Sequence, residues 1–279
     1  MRTFAPLVAV ALLMLTACGS QTDDSTSAPA PAATYSDGTT ATVVQVESAN
    51  TFLAEIDGVR KSVRLVNTAA PVTTGVALSN NCLVEESTDA LAKKLPEGSQ
   101  VTLKFDENQR GGTGYLEAAV YSGDTFLNAD MARAGMVTTT YATPADKFYP
   151  DISKAQQQAA NEGLGLYSKD VECTVPAAIA QQIGAVEDAH GWQVAADDET
   201  RKNEREGVYQ KASTLYNELT TQANSPAGWV GSIVTLDAVR QQLDDLEKAL
   251  GDDYYPENGT SVNQQNKASA EATPVRPGS

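Results

Sequence analysis

Alternation of apolar and polar positions dominates the first half of the chain. Thr42-Val43-Val44-Gln45-Val46, Thr51-Phe52-Leu53-Ala54-Glu55-Ile56 and Ser62-Val63-Arg64-Leu65-Val66 each read as a half-buried strand. Asp57-Gly58 between the last two is a pair suited to a two-residue hairpin turn. Val101, Leu103 and Phe105 form one face of a fourth strand, and Tyr115 to Tyr121 supplies a fifth. Helical spacing replaces alternation from Glu85 to Leu95. Asn128 is placed to cap a second helix that stops at Gly135, and Asp151 to cap a third that ends near Gly163.

After Cys173 the pattern changes to Ala, Gln, Asp and Glu at helical spacing. Tyr209, Ala212, Tyr216 and Leu219 make one stripe, and Leu236, Val239, Leu243, Leu246 and Leu250 make another, which Gly251 is placed to end. Ser225 to Gly231, with Pro226 and two glycines, breaks the pattern between them, so a helical hairpin is expected. A further short helix is expected from Pro176 to His190, with Ile179, Ile183 and Val186 on one face. Both stripes are too short for sustained heptads, so they predict an internal core and not a coiled coil. Trp192 and Trp229 are expected to cover that core, and His190 beside Gly191 to be a solvated loop residue. Asp197-Asp198-Glu199 lacks the spaced oxygens and glycine of a calcium loop and reads as a helix start.

The two ends of the chain have no such patterning. Phe4 to Leu15 is an apolar run behind Arg2, at about 12 residues too short to span a bilayer, and it reads as a signal peptide. It closes on Leu15-Thr16-Ala17-Cys18-Gly19, which resembles a bacterial lipoprotein cleavage motif, with Cys18 as the lipid-bearing residue. Such an anchor would hold the protein on the outer, extracytoplasmic face of a membrane. The expected organisation is a signal peptide over 1–17, a flexible tether over 18–40, a barrel domain over 41–173, a helical hairpin region over 174–255 and a disordered tail over 256–279.

Charge and cysteine content narrow the chemistry. A formal net charge of −16 and the lack of any Lys/Arg-rich run argue against nucleic acid as a partner, which binds through neutralised phosphates. With Cys18 assigned to the lipid, Cys82 and Cys173 are the cysteines left, and export favours their pairing as a disulfide. The single histidine, His190, lies outside the barrel and no second cysteine pair exists, so neither a metal site nor a cofactor is expected.

Several short motifs, in order, carry a resemblance. They are Arg64-Leu65 followed by Pro71, Phe105-Asp106 with Gln109-Arg110, Leu127-Asn128 through Ala134-Gly135-Met136, and Gly163-Leu164-Gly165-Leu166-Tyr167-Ser168. From Thr42 to Ser168 the chain resembles the thermonuclease, or staphylococcal-nuclease-like, family. That likeness implies an α+β fold: a five-stranded OB-type barrel with three helices, here followed by the helical hairpin.

The resemblance also implies which residues should do chemistry. Phosphodiester hydrolysis in this family uses a calcium ion held by carboxylates, a carboxylate base for water, and arginines for the charged transition state. The first calcium-ligand position falls on Asn50, the second on Ala69, the general base on Val72 and the second arginine on Tyr115; of the set, Arg64 is retained. Tyr141 sits where the family often has an aromatic lining the nucleotide pocket. These losses imply a binding or interaction module, with Arg64, Tyr115 and Tyr141 as ligand-facing residues and a protein, glycan or nucleotide as the partner. Two readings stay beside it. One is an active extracellular calcium-dependent nuclease in which Arg110, or Glu117 after a register slip, restores the site. The other is a cell-envelope scaffold acting through the C-terminal helices.

Overall fold

The structure is a computed structural model describing residues 34–72, 81–107, 109, 114–140, 146–195, 197–224 and 228–251. Cys18, Arg110 and Tyr141 lie outside the described residues. Among the described residues no helix is long and apolar enough to cross a membrane.

The barrel grows from a meander. β1 (Thr39–Ser48), β2 (Thr51–Ile56) and β3 (Val59–Leu65) are antiparallel neighbours, and β1 also pairs with β5 (Gln100–Lys104), which pairs with β6 (Leu116–Ser122). Asp57 and Gly58 both take positive φ, 51° and 77°, so the β2–β3 turn has the twist that right-handed strands need. β1 carries two register shifts, after Val43 and after Val46, which let one long strand bend and serve two neighbours. Parallel pairing of Val63, Arg64 and Leu65 with Leu116, Glu117 and Ala118 closes the barrel. β4 (Thr68–Ala69) pairs with β8 (Thr138–Thr139) in a separate small ladder, and β7 (Thr125–Phe126) turns back on β6.

Three helices cover the barrel: α1 (Val84–Lys94), α2 (Leu127–Arg133) and α3 (Tyr149–Glu162), followed by a short 3₁₀ turn over Gly165–Tyr167. Phe52, Leu65, Leu103 and Val120 from the strands meet Leu91, Leu127, Met131 and Ile152 from the helices in one core. Two cap expectations change. Asn128 lies inside α2, whose N-cap is Phe126, and Asp151 lies in the first turn of α3, whose N-cap is Phe148. Asn128 instead turns inward, fully buried. Its Oδ1 accepts from Val120 N at 3.0 Å, and its Nδ2 donates to Val66 O at 3.0 Å and Ala118 O at 3.2 Å. Asn128→Ala would remove the partner of the Val120 amide and the Val66 carbonyl in the core, while Ala118 O keeps its bond from Val66 N, so a loss of about 3 kcal/mol is expected in urea unfolding. A cost under about 1 kcal/mol would mean that water replaces the amide there.

The C-terminal half differs in detail from a simple hairpin. It holds α4 (Val175–His190), α5 (Glu199–Asn224), α6 (Gly228–Val234) and α7 (Asp237–Leu250). α6 occupies part of the stretch expected as a break, because Trp229, Val230 and Ile233 can bury their side chains against the neighbouring helices. Of the expected stripes, Ile179, Val186, Ala212, Tyr216, Leu219, Val239, Leu243, Leu246 and Leu250 are buried in one shared core, while Ile183, Tyr209 and Leu236 are partly buried at its margin. Trp229 lies in that core, but Trp192 does not; it is half-buried, with the Arg201 guanidinium stacked 4.5 Å from its ring. His190 ends α4 exposed, its ring 5.5 Å from that of Tyr209. Asp198 caps the start of α5, accepting from Arg201 N at 2.9 Å. Cys82 and Cys173 form a disulfide across 91 residues.

Candidate functional site

Every position of the site is set by the strand ends. Asn50 sits in the β1–β2 turn, Arg64 at the end of β3, Ala69 in β4, Val72 just after Pro71, and Tyr115 at the entrance to β6. Parallel closure of the barrel then places Glu117 directly across from Arg64.

Asn50 is 6% exposed and its amide is fully used inside the fold. Nδ2 donates to Thr68 O at 2.8 Å and lies 3.3 Å from Thr68 Oγ1, while Oδ1 accepts from Ser48 Oγ and Thr51 Oγ1, both at 3.2 Å. Thr68 Oγ1 in turn donates to Leu65 O at 2.6 Å. The side chain therefore ties the β1–β2 turn to β4, and its one acceptor oxygen already holds two hydroxyl protons. A calcium ion needs six or more oxygen ligands with compensating negative charge. Ala69 has no donor atom and packs at the margin of the helical core, and Val72 is an exposed aliphatic side chain. These residues do not fit calcium. Among the described residues, no group of three or more His, Cys, Asp or Glu side chains is placed to hold a metal ion.

Arg64 and Tyr115 do come together. The guanidinium carbon stands 3.8 Å from the Tyr115 ring centroid, so the ring covers one face of the cation. Glu117 is the candidate site residue that the sequence pattern undervalued. It reaches the site with the strands in register, without the slip that the alternation demanded, because the β3–β6 pairing is parallel and joins segments far apart in sequence. Burial holds its carboxyl above the ordinary 4.5, and the Arg64 charge pulls partly the other way. A carboxyl whose folded value exceeds its unfolded one contributes stability below the unfolded value and loses it as pH rises through the folded value. Glu117→Gln, with no charge to desolvate, is expected to unfold at higher urea than the native protein at neutral pH. The gap should close below about pH 4; a gap independent of pH would assign the effect to packing instead.

A closed barrel with its helices in this order, the β4–β8 ladder beside it and Arg64 at the end of the third strand define a thermonuclease-like domain. Residues 62–169 match the family model described as staphylococcal nuclease homologue. The thermonuclease of Staphylococcus intermedius is 25% identical over 130 residues, covering 46% of this chain and 75% of that protein. That of Staphylococcus hyicus is 23% identical over 126 residues, covering 45% and 74%.

Proposed function

We propose that this chain is an exported, lipid-anchored protein whose thermonuclease-like domain no longer cleaves phosphodiesters and serves as a binding or interaction module. The leader Phe4–Leu15 and the Cys18 motif support export and anchoring on the extracytoplasmic face of a membrane. The observation that carries the loss of catalysis is the Asn50 amide, closed by Thr68, Ser48 and Thr51 where the family's chemistry needs a free carboxylate. With Ala69 and Val72 at the other two carboxylate positions, none of the three positions supplies the metal-binding carboxylate or the base that the family's chemistry uses. A general base alone contributes roughly 10² to 10⁴ in rate. Acidic charge disfavours nucleic acid as the ligand, so a protein, glycan or single nucleotide is the preferred class.

The test is calcium-dependent hydrolysis of single-stranded DNA and RNA by the full chain. The native protein should be silent. A calcium-dependent turnover that Arg64→Ala abolishes would sink the proposal. Asn50→Asp, Ala69→Asp, Val72→Glu and Tyr115→Arg combined is the matching gain-of-function variant, and activity in it alone would tie the silence to these positions.

A second reading has its own observation. α4 and α5 form a groove of about 530 Å³ lined by Ala178, Gln182, Gln210, Lys211, Leu215 and Glu218. A scaffold that engages its partner through the helices would use this groove. Alanine at Gln182 and Gln210 would then weaken partner capture, while Tyr115→Ala would weaken it under the first reading.

A further inference from the structure

Among the described residues there are two apolar cores. One fills the barrel and the inner faces of α1–α3. The other is built by α4–α7, and the barrel half lends it Cys82, Ala159, Ala160, Leu166 and Tyr167, with Ala69 and Leu83 packed at its margin. Beside these apolar contacts the boundary carries a buried polar cluster. Gln156 of α3 accepts from Thr139 N of β8, and its Nε2 lies 3.2 Å from Ser232 Oγ of α6, which lies 3.0 Å from Thr139 Oγ1. All three side chains are buried. A boundary between two apolar clusters that also holds buried polar groups is a place where a folded chain opens as a sub-global unit. The Cys82–Cys173 disulfide ties the two sides covalently, since Cys82 directly precedes the Leu83 cap of α1 and Cys173 directly precedes the Thr174 cap of α4. Its two ends differ in access: Cys82 is 1% exposed, and Cys173 is an exposed residue.

We propose that α4–α7 form a cap on the β4–β8 flank of the site, clasped by Thr139, Gln156 and Ser232 and latched by the Cys82–Cys173 disulfide, and that a dithiol reductant releases it. A thiolate of the reductant attacks Cys173 Sγ, the bond between the two sulfurs breaks, and Cys82 leaves as a thiolate that takes up a proton. The reductant's second thiol then displaces Cys173 Sγ and departs as its own disulfide, so two electrons pass to the protein and both cysteines end as thiols. Release uncovers Ala69, the second carboxylate position, and with it that side of the site. The device is independent of whether the barrel cleaves phosphodiesters.

The two tryptophans, Trp192 and Trp229, both belong to the helical half, so their fluorescence reports on the cap alone. The experiment is a urea titration of the full chain, oxidised and then reduced with dithiothreitol. It is followed by tryptophan fluorescence and by hydrogen exchange at Phe52, Val63 and Val120 in the barrel strands. In the oxidised protein the two probes should lose structure together. After reduction the tryptophan midpoint should fall below that of the strand amides, and Cys173→Ser without reductant should reproduce the split. Ser232→Ala added to the reduced protein should lower the tryptophan midpoint further and leave the strand amides in place. Coincident transitions in the reduced protein would overturn the proposal, as would a split already present in the oxidised protein or one that the Cys173→Ser variant fails to show.

Discussion

Gly135→Ala is expected to destabilise the protein by about 3 to 5 kcal/mol, the sum of a strained backbone and an overpacked contact. Gly135 follows α2 with φ at +69°, where a side chain is itself disfavoured. Space is the larger obstacle. A Cβ there would stand 2.2 Å from Leu164 O and 2.8 Å from Leu164 C, backbone atoms that cannot rotate away. The opposing residue, Gly165, has the reciprocal problem, with its Cβ 2.4 Å from Gly135 O. The two glycines let the end of α2 touch the turn after α3, where Leu166 N donates to Gly135 O at 2.9 Å and Leu166 is fully buried. Gly123 supplies the control: it also has positive φ, at 58°, but nothing lies within 4 Å of its added Cβ. Gly123→Ala should cost about 1 kcal/mol. Urea midpoints of the two variants separate the contributions, and equal costs would show that close approach plays no part.

Removing the disulfide is expected to be the second large effect. Cys82→Ser with Cys173→Ser opens a loop of 91 residues, for which the chain-entropy argument gives about 4 to 5 kcal/mol, measured values often being smaller. Against a total stability of roughly 5 to 15 kcal/mol for a protein of ordinary size, that is a large share. The loss should appear as a lower urea midpoint by tryptophan fluorescence in the double variant than in the oxidised protein. Dithiothreitol should bring the native chain to the same midpoint and leave the variant unchanged. If the variant is as stable as the oxidised protein, the crosslink restrains nothing that the packing does not already hold.

Much of the fold was legible because the signals are local. The Asp57-Gly58 turn needs two residues that tolerate positive φ, and the strands on either side show their period directly. The α7 stripe from Val239 to Leu250 likewise needs no partner to be recognised. Asn128 shows where such reading fails. A polar residue before a helical run reads as a cap, yet this one serves Val120, Val66 and Ala118, which lie up to 62 positions away. Trp192 fails for a related reason: an aromatic near an apolar stripe predicts burial, but α5 begins with Arg201 placed to stack on its ring outside the core.

The site divides in the same way. The resemblance carried by motif order and spacing, which are properties of the chain, implies that Asn50, Ala69, Val72 and Tyr115 stand at positions where thermonuclease chemistry uses other groups and that Arg64 is kept. Tertiary structure decided what those residues became. It closed the Asn50 amide on Thr68, laid Tyr115 on Arg64, brought Glu117 across from Arg64 through a parallel strand pair, and set Ala69 against a core belonging to the other half of the chain. Periodicity and turn chemistry act between near neighbours, whereas barrel closure and the meeting of two cores join residues that no local pattern relates.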